Sequence, residues 1–83
     1  MDFRVYVIVE IPILDKKYEL LVPIDRRIHD LITVLKKAIP ELDSDFYEKR
    51  EPVLICKTSG DLYDMNAVIK NTNIKNGTRV ILI

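Results

Sequence analysis

From Phe3 to Ile11 the chain alternates, with Phe3, Val5, Val7, Val9 and Ile11 on one side and Arg4, Tyr6, Ile8 and Glu10 on the other. A period of two, rich in β-branched and aromatic side chains, predicts a long first strand. Pro12 and the Asp15-Lys16-Lys17 cluster mark a turn, and Tyr18 to Val22 reads as a second strand hairpin-paired with the first, ended by Pro23. The period then changes. Ile28, Leu31, Ile32, Leu35 and Ile39 recur at three-and-four spacing, which places them on one face of a helix spanning about 26–39. Asp25 is positioned to cap its amino end, Lys36 and Lys37 suit its carbonyl end, and Pro40 cannot continue it. Arg26 and Arg27 run against this pattern, because cations gain nothing from the amino end of the dipole.

Glu41 to Glu51 is the most charged stretch and carries no clear period, so it reads as a solvated connection with a short helical turn that tucks Leu42 or Phe46 inward. Pro52 to Lys57 predicts a third strand, Thr58 to Asp61 a turn, and Leu62-Tyr63 a very short strand before a helical turn through Met65 to Ile69. Ile74 is the one large apolar residue in the polar run Asn71–Gly77 and is expected in the core. Asn76-Gly77 tolerates positive φ and marks a turn into a last strand, Thr78 to Ile83. A helix of this length covers one face of a small sheet, and the first and last strands both look central, so they are expected to pair in parallel. The result is a single α+β domain over 1–83: a mixed four- to five-stranded sheet on one main helix, the β-grasp arrangement.

Composition narrows the functions open to such a chain. Eighty-three residues with 48% apolar and 31% charged composition describe one folded, soluble domain. Thirteen basic residues balance thirteen acidic ones, so there is no surplus to displace the counterions of nucleic acid or to meet an anionic membrane. No apolar run approaches a spanning helix, and the first residues lack the basic start of a signal peptide, which points to the cytoplasm. The single Cys56 excludes an internal disulfide and a multi-cysteine metal site, and its apolar surroundings mark it as a buried structural residue. Two glycines cannot build a phosphate-cradling loop. Asp43, Asp45 and Glu48 fail the calcium-loop pattern, because Glu48 stands where glycine is required. His29, the only histidine, has no nucleophile or orienting group suggested near it and reads as a surface or half-buried helix residue. No cofactor, metal or catalytic residue is expected.

The segment Leu54 to Ile83, above all Asn73-Ile-Lys-Asn-Gly-Thr-Arg-Val-Ile-Leu-Ile83, resembles the carboxyl half of ubiquitin-like proteins, with Ile74, Val80 and Leu82 at core positions. The amino half agrees, with a hairpin followed by a helix carrying Ile28, Leu31 and Leu35 inward. Within that group the chain resembles the YukD/EsaB proteins of type VII (WXG100) secretion systems. That likeness rests on size, on Asp25 shortly before Ile28-His-Asp-Leu-Ile32, on the Asn76-Gly77 turn, and on a chain that closes with its last strand. It implies a non-catalytic, cytoplasmic accessory or regulatory factor. The alternative, a ubiquitin-like modifier or sulfur carrier, needs a flexible tail ending in Gly-Gly, and the sequence has no glycine after Gly77.

Alternation also predicts a surface. With Val80 and Leu82 pointing inward, Ile81 and Ile83 face out beside Tyr6 and Ile8, extended by Val53 and Ile55 or by Leu54 and Cys56 according to register. Tyr6, Ile8, Ile81 and Ile83 are the expected protein-binding residues, serving a partner or a homodimer. The competing expectation is that Arg4, Lys57 and Arg79 lie over these residues as ordinary surface.

Overall fold

The computed structural model describes residues 3–43 and 52–83. Among them the strands are β1 (Arg4–Ile11), β2 (Lys16–Pro23), β3 (Leu54–Cys56) and β4 (Thr78–Leu82), with one helix, α1 (Ile28–Ala38). They form one mixed sheet in the order β2-β1-β4-β3. β1 pairs antiparallel with β2 and parallel with β4, and β3 runs antiparallel to β4. The alternation of β1 is the cause of its burial: Val7, Val9 and Ile11 are sealed against the core with Val80 and Leu82 of β4 and Leu54 of β3. Ile28, Leu31, Ile32 and Leu35 of α1 close that core from the helix side. Burial fades toward the start of β1, where Val5 is half-buried and Phe3 is 64% exposed. Phe3 precedes the strand and its side chain is largely solvated, although its carbonyl still accepts from Ile24 N–H at 3.0 Å.

The helix starts at Ile28, where its apolar stripe begins, and not at about 26, and Asp25 is not its cap. Arg27 takes the extended capping conformation, φ −87° and ψ 159°, and the Asp30 carboxylate accepts from the Arg27 N–H at 3.1 Å. The first free helical donors are met from another part of the chain. Ile28 N–H donates to Ala67 O at 3.0 Å, and His29 N–H to Met65 O at 2.9 Å. The Arg27 guanidinium donates to Asn66 O at 3.1 Å, which accounts for a cation at an end where the dipole repels it. At the other end Ile39 N–H bonds to Leu35 O, and Pro40 opens a 3₁₀ turn through Asp43 that buries Leu42 completely. Phe46, Asp45 and Glu48 lie outside the described residues.

Several connections depart from expectation. Lys16 and Lys17 belong to β2, because a 3₁₀ turn at Pro12–Leu14 and a left-handed Asp15 (φ 52°) complete the reversal before them. Leu62 forms only an isolated bridge to Ile55, so the described sheet has four strands. The helical turn expected at Met65 to Ile69 is a turn at Met65 followed by a 3₁₀ segment, Ile69–Asn71. No helix among the described residues is long and apolar enough to cross a membrane.

The turn before β4 sets its register. Gly77 adopts φ +86° and donates to Tyr6 O at 2.8 Å, while the Asn76 side-chain oxygen accepts from Tyr6 N–H at 2.9 Å. A side chain thus continues the ladder where the backbone has turned away. Asn76→Ala leaves the Tyr6 N–H without this partner and is expected to cost about 1 kcal/mol in urea unfolding, with faster exchange of the Tyr6 amide.

Candidate functional site

Among the described residues, the helix covers one face of the sheet and nothing packs over the other. Register assigns the residues of that open face row by row. Tyr6 stands opposite Leu21; Ile8 stands between Glu19 and Arg79; Glu10 stands between Lys17 and Ile81. Ile81 is opposite Ile55, and Ile83 exchanges two backbone bonds with Val53 at 2.9 and 3.0 Å. Tyr6, Ile8, Ile81 and Ile83 accordingly lie along a diagonal from the β1–β2 corner to the β3–β4 end, not in one compact cluster. Ile81 and Ile83 adjoin on one strand with Ile55 and Val53 beside them, whereas Tyr6 sits at the opposite corner beside Leu21.

Charge crosses this diagonal. Lys57 Nζ donates to Glu10 Oε2 at 2.6 Å, and since Lys57 N–H bonds to Arg79 O, the ion pair runs over β4 between Arg79 and Ile81. The bond from Lys57 is the main cause holding the Glu10 carboxyl below its ordinary pKa. At the Tyr6 corner the phenol bonds to Glu19, which raises its pKa. Tyr6, Ile8, Ile55 and Ile81 are half-buried, and Ile83 is 38% exposed. The ion pair therefore divides the open face into an apolar end, Ile81 and Ile83 with Ile55 and Val53, and an apolar corner, Tyr6 with Leu21. Of the two extensions that the alternation leaves open, register selects Val53 and Ile55. Leu21 belongs to the same face, but Leu20-Leu21-Val22 is apolar throughout, so its alternation is lost in the sequence.

The reactive side chains lie elsewhere. Cys56 points to the helix side at the edge of the core and is 5% exposed. The Ser59 hydroxyl first, then the N–H groups of the Thr58-Ser59 turn with Tyr63, favour its thiolate and pull its pKa down to about 6. Asn73 Nδ2 donates to its sulfur at 3.7 Å, while Asn73 Oδ1 accepts from the Tyr63 hydroxyl at 2.7 Å. Burial, then the contact with Cys56, pushes the Tyr63 phenol well above its ordinary range. His29 is exposed on α1, where its carbonyl accepts from the Thr33 hydroxyl. Among the described residues no group of three or more histidine, cysteine or acidic side chains could hold a metal.

No protein-family model matches the sequence, and comparison with curated proteins finds no match. Solved structures do match, over almost the whole chain. The ubiquitin-like domain of Plasmodium falciparum Dsk2 superposes with TM-score 0.73 at 14% identity, covering 96% of each chain. A structure described as molecular mimicry of SUMO that promotes DNA repair gives TM-score 0.74 at 19% identity, covering 96% of this chain and 90% of that one. A chain of the toluene 4-monooxygenase HD complex with 4-bromobenzoate gives TM-score 0.79 at 6% identity, covering 96% of each. At such identities the likeness is one of architecture: the fold is the ubiquitin-like β-grasp.

Proposed function

We propose that this protein is a non-catalytic protein-interaction module whose partner docks on the open face of the sheet over Ile81 and Ile83, with Ile8 and Tyr6 along the same diagonal. The observation that carries this reading is the apolar side chains on the sheet face that no helix among the described residues covers. The contiguous part of it, Ile81 and Ile83 with Ile55 and Val53 beside them, is the kind of apolar surface that is usually matched by a partner. Its zwitterionic border supplies the polar rim that surrounds the dry centre of an interface. A ubiquitin-like fold suits this role. The finer assignment is to a cytoplasmic accessory or regulatory factor of a type VII (WXG100) secretion system, and it rests on the resemblance to the YukD/EsaB proteins.

Co-purification tests both levels. Tagged protein expressed beside a WXG100 substrate and the secretion ATPase is expected to retain one of them, and Ile81→Glu or Ile83→Glu to lose it by at least tenfold, on the order of an interface hot spot. Both variants should keep the wild-type circular dichroism. Unchanged retention by both variants would remove the docking face. Retention of neither component would remove the secretion assignment, and recovery as a carboxyl-terminal covalent adduct would replace it with the modifier reading.

The non-catalytic reading carries its own test at Cys56. A thiolate with pKa about 6 resembles an activated nucleophile, but this one is buried, and among the described residues no histidine or carboxylate is bonded to it. Its lowered pKa is a stability device. Both states are protonated at low pH, so the contribution appears as pH rises through about 6 and is complete above the unfolded thiol's value, ~8.5. Thiolate absorbance should titrate near pH 6 in the folded protein, while alkylation by iodoacetamide stays slower than in the unfolded chain. Cys56→Ser should remove the rise in stability between these pH values. Fast alkylation of the native protein would overturn the assignment.

A further inference from the structure

The turn that aligns β4 carries a chemistry of its own. Asn76 and Gly77 are both exposed, so water and base reach them. With glycine in second place, the nitrogen that follows the Asn76 carboxamide has no side chain beside it to hinder closure of a five-membered ring onto Cγ. A Cβ built on Gly77 would meet nothing within 4 Å, so no neighbouring group crowds that approach either. Hydrogen bonds to a single residue across the turn are what hold the reacting atoms. Gly77 N–H donates to Tyr6 O at 2.8 Å, and Asn76 Oδ1 accepts from Tyr6 N–H at 2.9 Å. The turn is pinned besides by Thr78 N–H to Lys75 O at 3.0 Å and by Lys75 N–H to Thr78 Oγ1 at 2.9 Å. Electrophile and nucleophile are thus each tied to one of the two main-chain groups of Tyr6.

We propose that Asn76-Gly77 is a deamidation site that Tyr6 holds shut, and that its conversion to isoaspartate is a lasting mark of opening between β1 and β4. The step needs only hydroxide and water from the solvent. Hydroxide removes the Gly77 N–H proton, and the nitrogen forms a bond to Asn76 Cγ. The Cγ–Nδ2 bond then breaks, and Nδ2 leaves as ammonia after taking a proton from water, which restores the hydroxide. The proton that must go first is the one donated to Tyr6 O, so the closed turn is protected. Local opening of the strand pair releases it. Water opens the cyclic imide in one of two ways. Cleavage at Cγ leaves aspartate, whose carboxylate can still accept from Tyr6 N–H. Cleavage at the former main-chain carbonyl leaves isoaspartate: the backbone now runs through Cβ and Cγ, one carbon longer, and the oxygen that met Tyr6 N–H has become a backbone carbonyl. Burial of Val80 and Leu82 depends on the register set at this turn, so the isoaspartate form does not recover the native pairing.

The intact chain and the blocked peptide acetyl-Ile-Lys-Asn-Gly-Thr-Arg-amide are incubated side by side in mildly alkaline buffer. Isoaspartate is counted by enzymatic methyl transfer, and its position is fixed by peptide mapping. The folded protein is expected to convert roughly tenfold or more slowly than the peptide, the population cost of breaking two hydrogen bonds. Urea below the unfolding transition should raise the protein's rate, relative to the peptide in the same urea, in step with exchange of the Tyr6 and Gly77 amides. The deamidated fraction collected by ion exchange has the same charge as Asn76→Asp, so a difference between the two reports the lengthened backbone. That fraction should lose protection of the Tyr6 amide and unfold at lower urea, whereas Asn76→Asp should keep both close to wild type. Equal rates in protein and peptide would overturn the proposal, as would a protein rate indifferent to amide opening. A deamidated fraction that holds the Tyr6 amide as well as Asn76→Asp would overturn it too. None of these readouts involves partner docking, so this proposal and the docking face fail independently.

Discussion

The parallel pairing of β1 with β4 is the constraint from which the rest of this structure follows. It joins residues about seventy positions apart and forces everything between them to leave the sheet and return to it. Such pairing repays its loop-closure entropy only when both strands are buried, and Val7, Val9, Val80 and Leu82 supply that burial. The Asn76-Gly77 turn then fixes the alignment, since Gly77 N–H and the Asn76 side chain both bond to Tyr6. A slip of one residue would turn Ile81 inward and Val80 outward. The register of β4 therefore determines which apolar residues reach solvent.

With β1 and β4 central, one helix can cover only one side. The crossover segment anchors that helix through its backbone: Ile69 and Lys70 donate to Arg26 and Ile24, while Ala67 and Met65 receive the first helical donors. The amino end of α1 is thus tied to the last third of the chain and has no N–H left for an anion. Among the described residues, the outer face of the sheet and the β2 edge stay uncovered.

Structures between 6% and 19% identical to this chain share its architecture. Packing explains how. The core asks for aliphatic volume at alternate strand positions and on one helical stripe, and many sequences provide that. The open face is under no such demand, so its residues can differ between proteins that share the scaffold.

Local pattern was enough for the elements themselves. β1, α1 and β4 were legible because periods of two and of three-to-four have different physical origins and each ran long enough to be read. Burial of Ile74 was legible too, since it is the one large apolar residue in a polar stretch, whereas the charged connection offered Leu42 or Phe46 and the pattern did not choose between them. Tertiary contact decided the rest. The helix begins after Arg27, and not at about 26 behind an Asp25 cap, because carbonyls near residue 66 meet its first donors, a partnership invisible in a local window. Leu20-Leu21-Val22 hid which of its residues face outward until pairing with β1 resolved it. Tyr6, Ile8, Ile81 and Ile83 were identifiable as outward-facing from alternation alone. Their diagonal arrangement, and the Glu10–Lys57 bridge across it, exist only because three strands meet in a particular register.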